Sequence, residues 1–283
     1  MIEHANLNPL LSFQLPVEHG LTRQSNTPSY LLDPALIVAH RASSPELCHY
    51  RQAAANLFPA DLSESTLPSR SSSSRIFVTS PHQGDGKTST AFNLAWTLAQ
   101  SDKTVLLAEL NFVRPRLCAA LGDLHLRYGL EGALRGTAIP ADAVFSLNST
   151  SLHIAAVRNA TALDNLAPIQ ANLNAFLQWS SENFDLLVID CPSVLSREWN
   201  LWFRNNANPA LLVTREDHTP NLEVQRAVKT LGPSLTGVLV NAARHIPAQL
   251  PAHPQPGRIS PAEELSFLQT EHLKVATASE RKI

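Results

Sequence analysis

Two glycines, a lysine and a hydroxyl stand close together at Gly84-Asp85-Gly86-Lys87-Thr88-Ser89. Glycines let backbone amides approach an anion with no Cβ in the way. A lysine directly after them can reach the outer phosphates of a nucleotide, and a Thr hydroxyl can hold magnesium. The residues before the loop, Ile76-Phe77-Val78-Thr79, read as a β-branched and aromatic strand. Those after it, Ala91 to Ala99, read as an Ala-rich helix. Strand, glycine loop, Lys-Thr, helix is the order in which a helix N-terminus presents free amides to a phosphate. Position 81 is Pro where the strict G-x-x-x-x-G-K-[ST] pattern has Gly, so the spacing fits a variant loop with the glycines packed nearer the lysine.

Two carboxylates are expected opposite this loop, because ligands of open α/β sheets bind at the carboxyl ends of the strands. Asp190 closes the run FDLLVID and reads as the magnesium-positioning residue. Glu109 closes VLLAE and could bind magnesium, orient water or accept a proton. Asn241 ends GVLVN, where its amide could both donate to and accept from a base edge. The expected nucleotide contacts are Gly84, Asp85, Gly86, Lys87, Thr88, Ser89 and Asn241. The expected catalytic set is Lys87, Glu109 and Asp190, and the expected metal set Thr88, Glu109 and Asp190. His82 lies inside the loop and either touches phosphate or faces water.

The elements that must hold these residues alternate in type. Apolar runs at 104–109, 152–157, 185–190, 210–214 and 237–241 read as strands; helices are expected near 45–58, 163–179 and 221–231. Short apolar runs without alternation belong to strands covered on both faces. The fold class is therefore α/β: a doubly wound, mostly parallel sheet with helices on both faces. Around this nucleotide-binding domain, 76–245, the chain divides into a flexible arm at 1–29, a lead-in segment and helix at 30–62, a Ser-rich linker at 63–75 and a Pro-rich tail at 246–283 with a short helix near 262–274.

Bulk composition narrows the partners. Hydrophobic residues make up 44% and charged residues 16%, the proportions of a soluble globular chain. Nothing in the net charge of −2 suggests a nucleic-acid binder. No apolar run approaches the roughly 20 residues of a membrane helix. The three cysteines lack metal spacing and read as reduced residues of a cytoplasmic protein.

With these motifs in place the chain resembles the bacterial tyrosine kinase family, the ATP-binding partners of capsule and exopolysaccharide chain-length proteins. SSPELCHYR at 43–51 is similar to the family's S-P-x-x-E-x-Y-R, and QGDGKTSTAFNLAWTLAQSDKTVLLAE to its loop, helix and second strand. Arg114-Pro115 resembles its R-R-P, GLEGALRG its G-L-x-x-x-L-x-G, FDLLVIDCPSV its Y-D-x-V-I-I-D-T-P-P-V, and GVLVN its G-x-V-L-N. The resemblance implies a P-loop NTPase fold, ATP and Mg2+ as cofactors, ATP and ADP as ligands, an adenine contact at Asn241, and a membrane polysaccharide co-polymerase as partner at the inner face of the membrane.

Three departures change what the resemblance implies. The family's D-x-D reads Glu109-Leu110-Asn111, so two carboxylates become one, a methylene longer. Its oligomerisation motif E-x-x-R-x-x-R becomes Cys48, Arg51 and Ala54, leaving one charge of three, which puts a family-type homo-oligomer in question. Its tail tyrosine cluster is missing: Tyr30, Tyr50 and Tyr128 are the tyrosines present. The expectation is an ATP-binding, kinase-like protein with weakened phosphoryl transfer. The alternatives are a non-catalytic scaffold docked on a chain-length protein, and a partitioning or division-site ATPase.

Overall fold

The computed structural model describes residues 45–58, 74–121, 128–147, 150–159, 166–203, 209–216 and 218–241. The N-terminal arm, residues 63–73 of the Ser-rich linker and the C-terminal tail with its short helix fall outside them.

The described chain runs α1 (Pro45–Leu57), β1 (Ser74–Thr79), α2 (Lys87–Leu98), β2 (Val105–Glu109), α3 (Leu117–Ala120), α4 (Leu130–Leu134), β3 (Phe145–Ser146), β4 (Leu152–Ala155), α5 (Leu166–Asn183), β5 (Leu186–Asp190), α6 (Arg197–Trp202), β6 (Ala210–Arg215), α7 (Asn221–Leu231) and β7 (Leu235–Asn241). One seven-stranded sheet has the order β3-β4-β2-β5-β1-β6-β7. All pairs are parallel except β3 with β4. The expected doubly wound, mostly parallel P-loop sheet is the fold observed.

Side-chain alternation explains why these strands are apolar throughout. Ile76 and Val78 of β1 face one core while Phe77 faces the other; Leu186 and Val188 of β5 oppose Leu187 and Ile189 in the same way. The first core takes in α1, α2 and α3, and the second α4, α5, α6 and α7. Helices thus cover both faces, so the bodies of the central strands are apolar and the buried polar residues Thr79, Glu109 and Asp190 stand at their carboxyl ends.

β1 begins at Ser74, two residues before the expected strand, because Ser74 and Arg75 pair with Leu186 and Leu187 of β5. α7 spans the expected 221–231, whereas α5 runs four residues past Trp179 to Asn183. The short α3, α4, α6 and β3 were not expected; they have four, five, six and two residues, too few for a periodic pattern to register.

The topology sets the site. β2, β5 and β1 are neighbours, with Glu109 paired to Asp190 and Val78 paired to Asp190. The carboxyl ends of the three central strands therefore bring Glu109, Asp190 and the glycine loop to one edge of the sheet.

Candidate nucleotide site

The glycine loop leaves β1 and enters α2 in a conformation that needs its glycines. Gly84 and Gly86 have φ of 91° and 92°, in the region that side chains disfavour. A Cβ on Gly86 would also lie 1.9 Å from Asn241 Nδ2. Gly86 is the N-cap of α2 and has no side chain with which to satisfy the first amides of that helix. They are the amides a phosphate would take.

The loop is braced from inside by Asp85. Its side chain is fully buried; Oδ2 accepts from the His82 N–H at 2.9 Å and Oδ1 from the Thr219 hydroxyl at 2.8 Å. The Asp85 carbonyl accepts from Asn241 Nδ2 at 3.1 Å. Among the expected nucleotide contacts, Asp85 thus spends its carboxylate on the loop's own fold. Asn241 reaches the loop backbone, where an adenine contact was expected of it. His82 turns its ring outward, half exposed, with Nε2 3.7 Å from Glu223 Oε2.

Lys87, Thr88 and Asp190 meet as expected. Lys87 is 5% exposed at the head of α2, and Ser89, partly buried, follows on the same turn. The Thr88 hydroxyl donates to Asp190 Oδ2 at 2.7 Å. Asp190 Oδ1 is buried with no hydrogen-bond partner among the described residues. Burial lifts the Asp190 pKa to about 6, against the pull of the Lys87 charge and the Thr88 hydrogen bond. A buried carboxylate oxygen without a donor, beside a P-loop hydroxyl, fits a hydrated magnesium ion. Thr88 and Asp190 would hold the ion. Among the described residues no group of three His, Cys, Asp or Glu could hold a metal alone, so phosphate oxygens and water must complete the shell.

Glu109 is also buried, but its carboxylate is engaged differently from the metal or base role expected of it. Oε1 accepts from the backbone N–H groups of Arg116 (2.5 Å) and Leu117 (2.8 Å), at the start of α3. Oε2 accepts from the N–H of Val157, just past β4, at 3.0 Å. Burial first, and then repulsion from Asp190, push its pKa up to about 8 in spite of these three donors. Asn111, which stands in for the family's second carboxylate, donates Nδ2 to the Arg114 carbonyl at 3.1 Å.

Several residues at this edge escaped the sequence reading. Thr219 anchors Asp85, His218 Nε2 sits 3.9 Å from Asp85 Oδ1, and Arg215 Nη1 lies 3.4 Å from the Gly84 carbonyl. They come from the end of β6 and the β6–α7 connection, more than 130 residues from the loop; no local pattern could join them to it. Ser193 has a buried hydroxyl with no partner among the described residues. It stands where the family pattern D-T-P-P has its second proline. The flanking residues are tied to the loop's root: the Thr79 hydroxyl donates to the Pro192 carbonyl at 2.7 Å, and the Val194 N–H to the Ser80 carbonyl at 2.8 Å.

The fold is that of the P-loop NTPases, with a variant glycine loop between β1 and α2. Tyrosine-protein kinase CpsD of Streptococcus pneumoniae serotype 4 is 26% identical over 171 residues, 59% of this chain and 74% of that protein. The kinase domain of the Escherichia coli tyrosine kinase ETK superposes with a TM-score of 0.58 at 18% identity, covering 83% of this chain and 87% of its own. The chimerical protein CapA2B2 gives 0.57 at 22%, covering 74% and 89%. No protein-family model matches the chain. The chain resembles the bacterial tyrosine kinases in sequence as well as in fold.

Proposed function

We propose that this chain binds ATP and ADP with magnesium, and acts as a kinase-like ATPase with reduced phosphoryl transfer in the production of capsule or exopolysaccharide. The observation that carries the reading is the Thr88–Asp190 hydrogen bond beside buried Lys87, at the head of a helix whose N-cap is Gly86. Gly84 and Gly86 let the backbone wrap the β phosphate, Lys87 offsets charge on the β and γ phosphates, and Thr88 with Asp190 positions the metal.

Transfer requires more than binding. A tyrosine oxygen must attack the γ phosphorus, the bond to the β–γ bridging oxygen must break, and a base must take the hydroxyl proton. Asn111 cannot be that base. Glu109 accepts three backbone hydrogen bonds, which hold its carboxylate on the chain and take three of its roughly four acceptor positions. Residues 129–283 contain no tyrosine, so that stretch offers no tyrosine acceptor. These features favour nucleotide-dependent docking on a membrane chain-length protein over fast catalysis. Among the described residues no helix is long and apolar enough to cross a membrane.

The test is titration of fluorescent ADP and ATP analogues with magnesium into wild type and Lys87→Ala. Binding by wild type that weakens at least tenfold in the variant is expected. Equal affinity in the two proteins, or no binding by either, would sink the reading. Incubation with radiolabelled ATP then measures transfer to tyrosine against release of phosphate.

A further inference from the structure

Glu109 closes a central strand beside Asp190, the position from which a metal ligand or base would act. Its contacts describe a different task. Both carboxylate oxygens are turned onto backbone amides belonging to two separate segments. Oε1 holds the amides of residues 116 and 117, which open α3; Oε2 holds the amide of residue 157, which leaves β4. The two segments flank β2, so one side chain ties the β2–α3 connection to the chain leaving β4.

A second carboxylate continues the tie. Glu131, buried in α4, accepts from the next two amides: Arg158 N–H on Oε2 at 3.0 Å and Asn159 N–H on Oε1 at 3.1 Å. Three consecutive amides, 157 to 159, are thus held by two buried carboxylates from different elements. Gly129 leaves room for this, since a Cβ there would fall 2.2 Å from Glu131 Oε2. Asp190 presents the contrast: one oxygen on Thr88 and one with no donor among the described residues.

We propose that Glu109 is a positioning residue and not a magnesium ligand. It clamps the β2–α3 and post-β4 segments into one wall beside the phosphate loop, and leaves Asp190 as the strand-end carboxylate for the metal. The longer side chain accounts for the exchange of Asp for Glu. From the end of β2 its carboxylate reaches amides of both segments, which take three of its roughly four acceptor positions. The metal half of this proposal rests on the nucleotide site proposed above; the clamp does not.

The experiment uses the full chain and the variants Glu109→Gln, Glu109→Asp and Asp190→Asn. Magnesium is titrated against a fixed amount of fluorescent ADP, and amide hydrogen exchange is followed by mass spectrometry over residues 111–121 and 152–159. Glu109→Gln keeps a carbonyl for residues 116 and 117 but can point an NH2 at Val157. Exchange over 152–159 should rise at least tenfold, while the magnesium midpoint stays within threefold of wild type. Asp190→Asn should raise that midpoint at least tenfold and leave exchange over 152–159 unchanged. A tenfold rise in the midpoint for Glu109→Gln overturns the proposal, as does unchanged exchange over 152–159. If Glu109→Gln fails to fold, Glu109→Asp is read by the same two limits, its shorter reach exposing at least one segment. Absence of magnesium-dependent binding in wild type would remove the nucleotide reading and with it the metal half; the exchange arm would still decide the clamp.

Discussion

At the scale of single residues, the site keeps two carboxylates under conditions that oppose their charge. Asp190 and Glu109 are both fully buried and both have raised pKa values, about 6 and about 8. A carboxyl whose folded pKa exceeds its unfolded value holds its proton more tightly when folded. It therefore favours folding fully below the unfolded pKa and loses that contribution as pH rises through the folded pKa. The window runs from about 4 to about 6 for Asp190 and from about 4.5 to about 8 for Glu109. Thermal unfolding from pH 5 to pH 8.5 should show wild type losing stability relative to Glu109→Gln steadily from pH 5 up to about 8, with no further loss above it. A constant difference between the two would mean that Glu109 stays ionised throughout. Magnesium competes with the proton on Asp190, so nucleotide affinity in magnesium should climb as pH passes 6. Ser193 makes the converse case. Its buried hydroxyl satisfies nothing in the described structure, so Ser193→Ala should leave the ligand-free protein as stable or more stable by about 1 kcal/mol. A loss of that size in chemical denaturation would show that the hydroxyl has a partner in the folded chain.

Elements, rather than residues, decide how the loop holds its shape. Three connections converge on it: its own turn, the β6–α7 connection through Thr219, and the end of β7 through Asn241. They meet at Asp85, and beside it Gly86 has a positive φ with Asn241 Nδ2 filling the space of its missing Cβ. Gly86→Ala should cost at least ~2 kcal/mol, combining left-handed strain of about 1 kcal/mol with displacement of Asn241. Adding Asn241→Ala removes the clash but not the strain, so the double variant should recover part of the loss in denaturant melts. Additive losses would mean that the two residues do not meet. This convergence also marks how far the sequence could be read. Gly84, Gly86, Lys87 and Thr88 declare a phosphate loop because the signal is local, and the alternation of apolar runs gives the sheet for the same reason. Thr219 under Asp85 and the amides under Glu109 depend on contacts between distant segments, and the residue types alone suggested ligand contacts for Asp85 and Glu109. Charge on a strand end is legible; what satisfies it is a property of the fold.

On the scale of the whole molecule, α1 is part of the first core and not a detachable lead-in. Tyr50, Ala54 and Phe58 are buried with the apolar face of α2, and Asn93 Nδ2 of α2 donates to the Tyr50 hydroxyl at 3.2 Å. Two of the positions that match the family's E-x-x-R-x-x-R motif, Cys48 and Arg51, lie on the exposed side of this helix, while the third, Ala54, is 2% exposed inside the core. Restoring the motif is therefore two different operations. Cys48→Glu adds a charge to solvent and should change stability by no more than about 0.5 kcal/mol. Ala54→Arg must seat a guanidinium among apolar side chains or lift α1 off α2, and either outcome combines overpacking with an unpaired charge. It should cost at least ~3 kcal/mol in chemical denaturation, and light scattering of the double variant should show no homo-oligomer beyond that of wild type. A stable new homo-oligomer from Cys48→Glu with Ala54→Arg would mean that α1 can turn its buried face outward, and that the packing on α2 is one of two arrangements open to this chain.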